Sequence, residues 1–410
     1  SFSSSVQGTY VGGGVGRADY YIAGGEVNVG AGDAKMTIGR AGKFNADPGA
    51  QAVLTLAGTN NPQLNLPTWG HVVLCDQTND FMAVLNVNAG AVNLRDITRA
   101  KAPSVCQPGN KAYVNFGGGT FFLLNTDNPN MFGTGDTANY WQRNPWKRPV
   151  DTNGRNLTQA ADTPFTRPTG RGIASIALPA GMPNGAYLGS PEVIITGGNG
   201  TGATAHALYD PATRSVTAID VTCPGWDFTS APEVKIPTAD RKGFVICTAT
   251  LTPEGEDQPG GDLVKAGGAT LYLKAANTYS GNTVLKGGTL NCQVANAIPA
   301  ASTVVFAGGA LNMNGAALPT KWGADCARVL ADGKPAAYNY ALAFPAGSTL
   351  AVLNADSIPE SVTKLTLLTM TAGFTGSPEV IGYDKDVWRV RWVGSTLKMS
   401  RVSGMFFVVK

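Results

Sequence analysis

Between residues 266 and 313 apolar and polar positions alternate over short runs, and a pair of glycines precedes each run: AGGATLYL at 266–273, KGGTLNC at 286–292 and AGGALNM at 307–313. Alternation with period two predicts strands with one buried face. The glycines predict tight turns that reach positive φ. The turn glycines Gly268, Gly288 and Gly309 lie 20 and then 21 residues apart. That spacing suits one coil of a β-solenoid and is too short for a βαβ unit. Leu271, Leu273, Leu290 and Leu311 are then expected to stack inward, with Asn291 and Asn312 at the surface or in turns. Looser copies stand at 23–29, 88–94, 116–123, 345–352 and 393–399. An antiparallel sandwich with glycine-rich hairpins is the other all-β arrangement that the pattern allows.

A different repeat occupies residues 187–252. SPEVII starts at Ser190 and APEVKI at Ala231; GATAHAL starts at Gly202 and GFVICTATL at Gly243, both pairs offset by 41 positions. Two anchors at one offset indicate a duplication, each half a strand, a glycine-rich turn and a strand. Pro191 and Pro232 stand where each strand begins, a place that tolerates a missing N–H. The halves resemble a short repeat common in large bacterial surface proteins: tyrosine, Ser-Ala-Pro, a valine-rich strand, then a Gly-Gly-x-Gly-x-Gly-Ala run. The cluster GGNGTG at 197–202 lacks the Lys-Ser/Thr of a phosphate loop and is read as a turn.

The stretch GGATLYLKAANTYSGNTVLKGGTLNC, residues 267–292, closely resembles the autotransporter-associated β-strand repeat of bacterial exported proteins. The residues that carry the resemblance are Gly267, Gly268, Leu271, Leu273, Asn277, Tyr279, Gly281, Thr283, Gly287, Gly288, Thr289 and Leu290. The family implies a right-handed parallel β-helix at the cell surface. After residue 400 only RVSGMFFVVK follows, too short for the membrane β-barrel of a self-transporting protein, whose strands take about ten residues each. Removal of the barrel or another export route is therefore expected, and the start at Ser1 suggests a processed chain. The expected fold is all-β: a right-handed parallel β-helix (β-solenoid) with an inserted duplicated β module. Its parts are an N-terminal β-solenoid segment at 1–125, a long aromatic and basic loop region at 126–186, the duplicated module at 187–252, and a C-terminal β-solenoid with a terminal strand at 253–410.

Composition agrees with many tight turns and a sizeable core. Of 410 residues 52 are glycine, 43% are hydrophobic and only 14% are charged; ordinary globular chains carry about 25% charge. A net charge of +3, scattered along the chain, gives no basic stripe for nucleic acid. The apolar runs fall short of the roughly 18 residues of a membrane span. Cys75, Cys106, Cys223, Cys247, Cys292 and Cys326 form three neighbouring couples in sequence, and 75–106, 223–247 and 292–326 is the simplest of the possible disulfide pairings. Six buried free thiols are the other reading. Without a CxxC pair and with two histidines, no metal site and no cofactor are expected.

The candidate chemistry is sparse. Tyr140, Trp141, Arg143, Trp146, Lys147 and Arg148 form an aromatic and basic cluster suited to a subunit contact or to sugar rings, and equally to pinning a loop. Asp76, Asp80 and Asp96 with Arg95 and Arg99, and Asp384 and Asp386 with Arg389, are the acidic clusters that a polysaccharide hydrolase or lyase would use. His71 and His206 have no partner legible in the sequence, and no G-x-S-x-G elbow exists, so no enzyme and no catalytic residue are expected. The expected function is an extracellular structural subunit of a bacterial surface layer, fibre or filament. It would self-associate into a homo-oligomer through solenoid ends and terminal strands. A surface adhesin or glycan-binding stalk, with surface glycans as partners, is the alternative, and a polysaccharide hydrolase or lyase comes third.

Overall fold

The computed structural model describes residues 2–4, 8–13, 17–30, 35–40, 51–66, 70–76, 82–99, 111–117, 120–123, 141–145, 148–151, 156–159, 161, 164–182, 185–254 and 261–402. The protein is all-β, built from several mostly parallel sheets. It divides into two compact units, Ser1–Asp151 with Thr158–Gly261, and Thr152–Leu157 with Asp262–Lys410.

In the first unit one parallel ladder runs through Arg17–Val29, Gln51–Asn65, Met82–Val87, Lys111–Phe116 and Trp141–Pro145. A second adds Ala91–Leu94, Thr120–Leu123 and Arg148–Asp151 to the far half of Gln51–Asn65. A third joins Gly8–Gly13, Lys35–Arg40, His71–Asp76 and Asp96–Arg99. Register puts like on like. Leu54, Leu85 and Val114 follow one another in the first ladder, and Met36, Val72 and Ile97 in the third, all fully buried. Each such side chain contributes about 1.5–3 kcal/mol by leaving water. A one-residue slip would turn every one of them to the opposite face.

Polar side chains pin the same register. Asn65 Nδ2 donates to Asn28 Oδ1 at 2.9 Å, and Asn93 Nδ2 donates to Asn65 Oδ1 at 2.6 Å. These three asparagines are register partners in successive strands.

A six-stranded antiparallel sheet completes this unit. Its order is Ile194–Thr196, Glu233–Pro237, Phe244–Leu251, Ile173–Ala177, Ser215–Trp226 and Thr201–Asp210. Ile173, Val193, Ala207, Val216, Val234 and Ile236 are among the buried residues of its core. The 126–186 stretch, read from sequence as a loop region, contains strands Trp141–Pro145, Arg148–Asp151, Leu157–Gln159 and Ile173–Ala177. Its turn-rich composition hid them, because strands this short rest on their ladder neighbours more than on local propensity.

The second unit stacks Leu263–Ala266, Thr283–Leu285, Val304–Phe306, Lys321–Asp325, Thr349–Leu353 and Glu379–Ile381 in parallel. Thr270–Leu273, Thr289–Cys292 and Ala310–Asn312 form a second ladder. Here Leu271, Leu290 and Leu311 are register partners. Leu271, Leu273 and Leu290 are fully buried and Leu311 is half-buried. A helix, Cys326–Asp332, interrupts the strands; Asp325 caps it by accepting from the Ala327 N–H at 3.0 Å, and Gly333 ends it at φ 64°. An antiparallel hairpin, Trp388–Val393 with Thr396–Arg401, closes the sheet begun by Ala336–Tyr338 and Lys364–Met370.

The disulfide expectation is overturned for the described cysteines. Cys223, Cys247, Cys292 and Cys326 are free thiols, all buried, so neither Cys223–Cys247 nor Cys292–Cys326 forms. Packing gives the reason. Cys223 belongs to a cluster with Val53, Val84, Tyr113 and Trp226, whereas Cys247 lies in the antiparallel core. Cys292 follows Leu273 in the ladder, and Cys326 opens the helix. Burial pushes the Cys223 thiol up to about 11 and the Cys292 and Cys326 thiols up to about 12. Of the remaining couple, Cys106 and the side chain of Cys75 lie outside the described residues.

Candidate functional site

The first parallel ladder has two covered faces, which is why MAVLNV at 82–87 reads as a nearly unbroken apolar run. One face holds Leu54, Leu85 and Val114. The other presents Asp19, Val53, Val84 and Tyr113 in one row and Tyr21, Thr55, Asn86 and Asn115 in the next. Against this second face lie the antiparallel strands Thr201–Asp210 and Ser215–Trp226.

The contact has an apolar and a polar part. Val53, Val84 and Tyr113 pack with Cys223 and Trp226, the Trp226 ring meeting Tyr113 edge-on at 4.8 Å. Beside them runs a buried polar seam. Asn86 Nδ2 donates to Thr55 Oγ1 and to Thr204 Oγ1, both at 3.0 Å; Thr204 and Thr222 share a hydroxyl contact of 2.7 Å. Asn115 Nδ2 donates to the Asn86 Oδ1 at 3.2 Å and to the Thr222 carbonyl at 3.2 Å. Thr55, Asn86, Asn115, Thr204 and Thr222 are all buried. Apart from the Asn115 Oδ1, which meets no donor among the described residues, the side-chain groups named here are partnered, and such a seam permits few other docking geometries.

At the rim the seam becomes charged. Asp19 Oδ2 lies 2.6 Å from His206 Nδ1, and the Tyr21 hydroxyl donates to Asp220 Oδ2 at 3.1 Å. The Tyr21 ring stacks on the imidazole, centroids 4.1 Å apart and 8° from parallel. Burial first, then the Asp220 carboxylate, holds the Tyr21 hydroxyl far above its ordinary value, which keeps it a donor. A cavity of about 20 Å³, lined by Arg17, Asp19, Gln51 and Glu192, adjoins this group. It is sized for a single water and not for a sugar. The arrangement orients and fastens the antiparallel sheet. His206, which the sequence leaves without a partner, thus acquires one 187 positions away.

The sequence-derived candidates fare differently. Trp141, Arg143 and Arg148 have their backbones in ladder strands; Trp141 is the register partner of Ala112. Tyr140, Trp146 and Lys147, and the side chains of the whole cluster, lie outside the described residues. Asp96 is buried with the Arg95 guanidinium 3.6 Å away, Asp76 pairs through its backbone with Arg40, and Asp80 lies outside the described residues. Asp384 Oδ1 accepts from the Asp386 N–H at 2.8 Å, a turn contact. Among the described residues no group of three or more His, Cys, Asp or Glu is placed to hold a metal, and no helix is long and apolar enough to cross a membrane.

The repeat motif has an internal role. Asn277, Tyr279 and Thr283 are buried. The Asn277 side chain donates to the Ala297 carbonyl at 2.7 Å, and the Tyr279 and Thr283 hydroxyls meet at 2.6 Å. Thr283 is also 2.9 Å from the Ser302 hydroxyl. Of the turn glycines, Gly288 has φ +61°, and a Cβ there would stand 2.2 Å from the Ala269 carbonyl oxygen. Under this turn Lys265, fully buried, donates to the carbonyls of Ala266, Gly267 and Gly287. The motif residues hold one strand layer to the next. No family model, no curated protein and no solved structure matches this chain.

Proposed function

We propose that the protein is an exported, non-enzymatic structural subunit of a bacterial surface layer, fibre or filament, folded as a right-handed parallel β-helix that carries an inserted, duplicated β module. The stacked, in-register parallel ladders of both units support the β-helix reading. The duplication is supported by Ile194, which pairs directly with its counterpart 41 positions on, Lys235. A local two-fold relation between the halves accounts for that pairing.

The observation that carries the assembling role is Glu379–Ile381, the last strand of the second unit's parallel ladder. Among the described residues it pairs along one edge alone, with Thr349–Leu353. A row of unpaired N–H and C=O groups is a template for another strand. End-to-end addition there, with the terminal segments of a second copy supplying strands, extends the stack. Negative-stain electron microscopy of purified protein tests this: filaments or lattices are expected, shortened by Val380→Pro, which removes an edge donor. Dispersed single particles at every concentration would sink it. Glycan binding lost on Trp141→Ala would favour the adhesin instead.

A further inference from the structure

The two loops that correspond at the 41-residue offset behave differently. The first, around Gly197–Gly202, lies against Phe228: Thr229 N–H donates to the Gly198 carbonyl at 3.0 Å. A Cβ at Gly200 would fall 2.3 Å from the Phe228 ring, and one at Gly198 would fall 2.6 Å from the Ser230 carbonyl oxygen. Contact that close requires glycine. In the second loop the corresponding residues are Ala239 and Arg241, and Tyr187 stands where the first has Phe228.

The second loop bonds to itself instead. Thr238 Oγ1 donates to Asp240 Oδ1 at 2.7 Å, Lys242 N–H donates to the same oxygen at 3.1 Å, and Arg241 N–H donates to the Thr238 carbonyl at 2.8 Å. The Tyr187 hydroxyl donates to the Pro237 carbonyl at 3.1 Å, but with side chains in place of hydrogens the loop stands off Leu188–Glu192. A cleft of about 630 Å³ remains between them.

The cleft has a distinctive chemistry. Leu188 at its lip is 90% exposed, and Phe244 is 53% exposed. Next to it on the same strand face Ile246 is 57% exposed. The hydroxyls that line it are already engaged, Tyr187 with the Pro237 carbonyl, Ser190 with the Ala207 carbonyl and Thr238 with Asp240. Its charged residues are one acid, Glu192, and one base, Arg241. A sugar would need more free hydrogen-bonding groups, and an anion would be opposed by Glu192. An apolar side chain flanked by one charge of each sign fits.

We infer that this cleft is a two-fold contact between copies of the chain, in which Leu188 of each copy enters the cleft of the other and Glu192 faces Arg241 across the axis. An isologous interface must be self-complementary, and this surface carries both the knob and the hole, both the acid and the base. The contact is lateral and independent of growth through strand ends.

Sedimentation velocity over a concentration series tests it, with circular dichroism as the check on folding. The wild type is expected to dimerise. Leu188→Asp, Glu192→Arg and Arg241→Glu are each expected to weaken the dimer about tenfold or more, and the double variant Glu192→Arg/Arg241→Glu to restore it. A wild type that stays monomeric, a dimer indifferent to Leu188→Asp, or a double variant no tighter than the singles would overturn it. Filaments that persist in Leu188→Asp, or lateral dimers that persist in Val380→Pro, separate this contact from end-to-end assembly.

Discussion

His206 Nδ1 and Asp19 Oδ2 sit 2.6 Å apart, although 187 positions separate them, and their contact marks the charged rim of the surface on which the antiparallel sheet is docked. Both side chains are mostly buried, at 15% and 21% exposure, so solvent screens the pair less than it would on an open surface. In a double-mutant cycle with His206→Gln and Asp19→Asn the coupling is expected to be about 1–2 kcal/mol. Chemical denaturation measures it, and additive losses would assign the pair no role in fastening the sheet.

The buried seam is expected to matter more. Asn86→Ala leaves Thr55, Thr204 and Asn115 without a shared partner. A loss of about 2–3 kcal/mol follows, accompanied by faster amide exchange in residues 201–226. A change confined to residues 82–87 would contradict the seam as a docking element.

Two glycines of one repeat should respond in opposite ways. Gly288→Ala forces a side chain into positive φ and against the Ala269 carbonyl, and is expected to cost about 2 kcal/mol or more. Around Gly268 nothing lies within 4 Å of an added Cβ, so Gly268→Ala stays within about 0.5 kcal/mol of wild type. Thermal melts of the two variants decide it.

Lys265→Met removes the ammonium that serves three backbone carbonyls of two successive turns. Buried acceptors left without this donor are expected to cost about 3 kcal/mol in total. A variant as stable as wild type in urea would mean that the turns close equally well without the charge.

The buried thiols give a pH signature. Their folded values of about 11 to 12 exceed the ordinary 9.0, so the unfolded chain loses these protons first. Their contribution is intact below about pH 9 and is lost as pH rises through the folded values. Stability should therefore decline above pH 9, and less steeply in Cys223→Ala/Cys292→Ala. At neutral pH a thiol reagent should label Cys223, Cys247, Cys292 and Cys326 only after denaturation, with no reductant needed. Peptide mapping reads this, and a bond between any two of them would contradict the packing.

Much of the second unit was legible because its signals are local. Alternation identified Leu271, Leu273 and Leu290 as inward positions, and a glycine was required where Gly288 turns with positive φ. The strands at 141–151 were not legible, since register neighbours far from them in sequence supply their hydrogen bonds. Cysteine spacing misled for a related reason: nearness in sequence placed Cys223 with Cys247, while packing placed it beside Val53 and Tyr113.

By itself the sequence determined the strand class, and between residues 266 and 292 it determined the glycine turn at Gly288 and the buried positions Leu271, Leu273 and Leu290, because a period of two and the absence of a Cβ act within a few residues. Only the tertiary structure decided that the outer face of the 51–56 and 82–87 strands would be covered, that His206 would meet Asp19, and that a cleft would remain between residues 187–192 and 237–244. Those outcomes depend on which surfaces dock. Docking is settled by shape and by polar satisfaction between segments far apart in the chain, where no sequence period reaches.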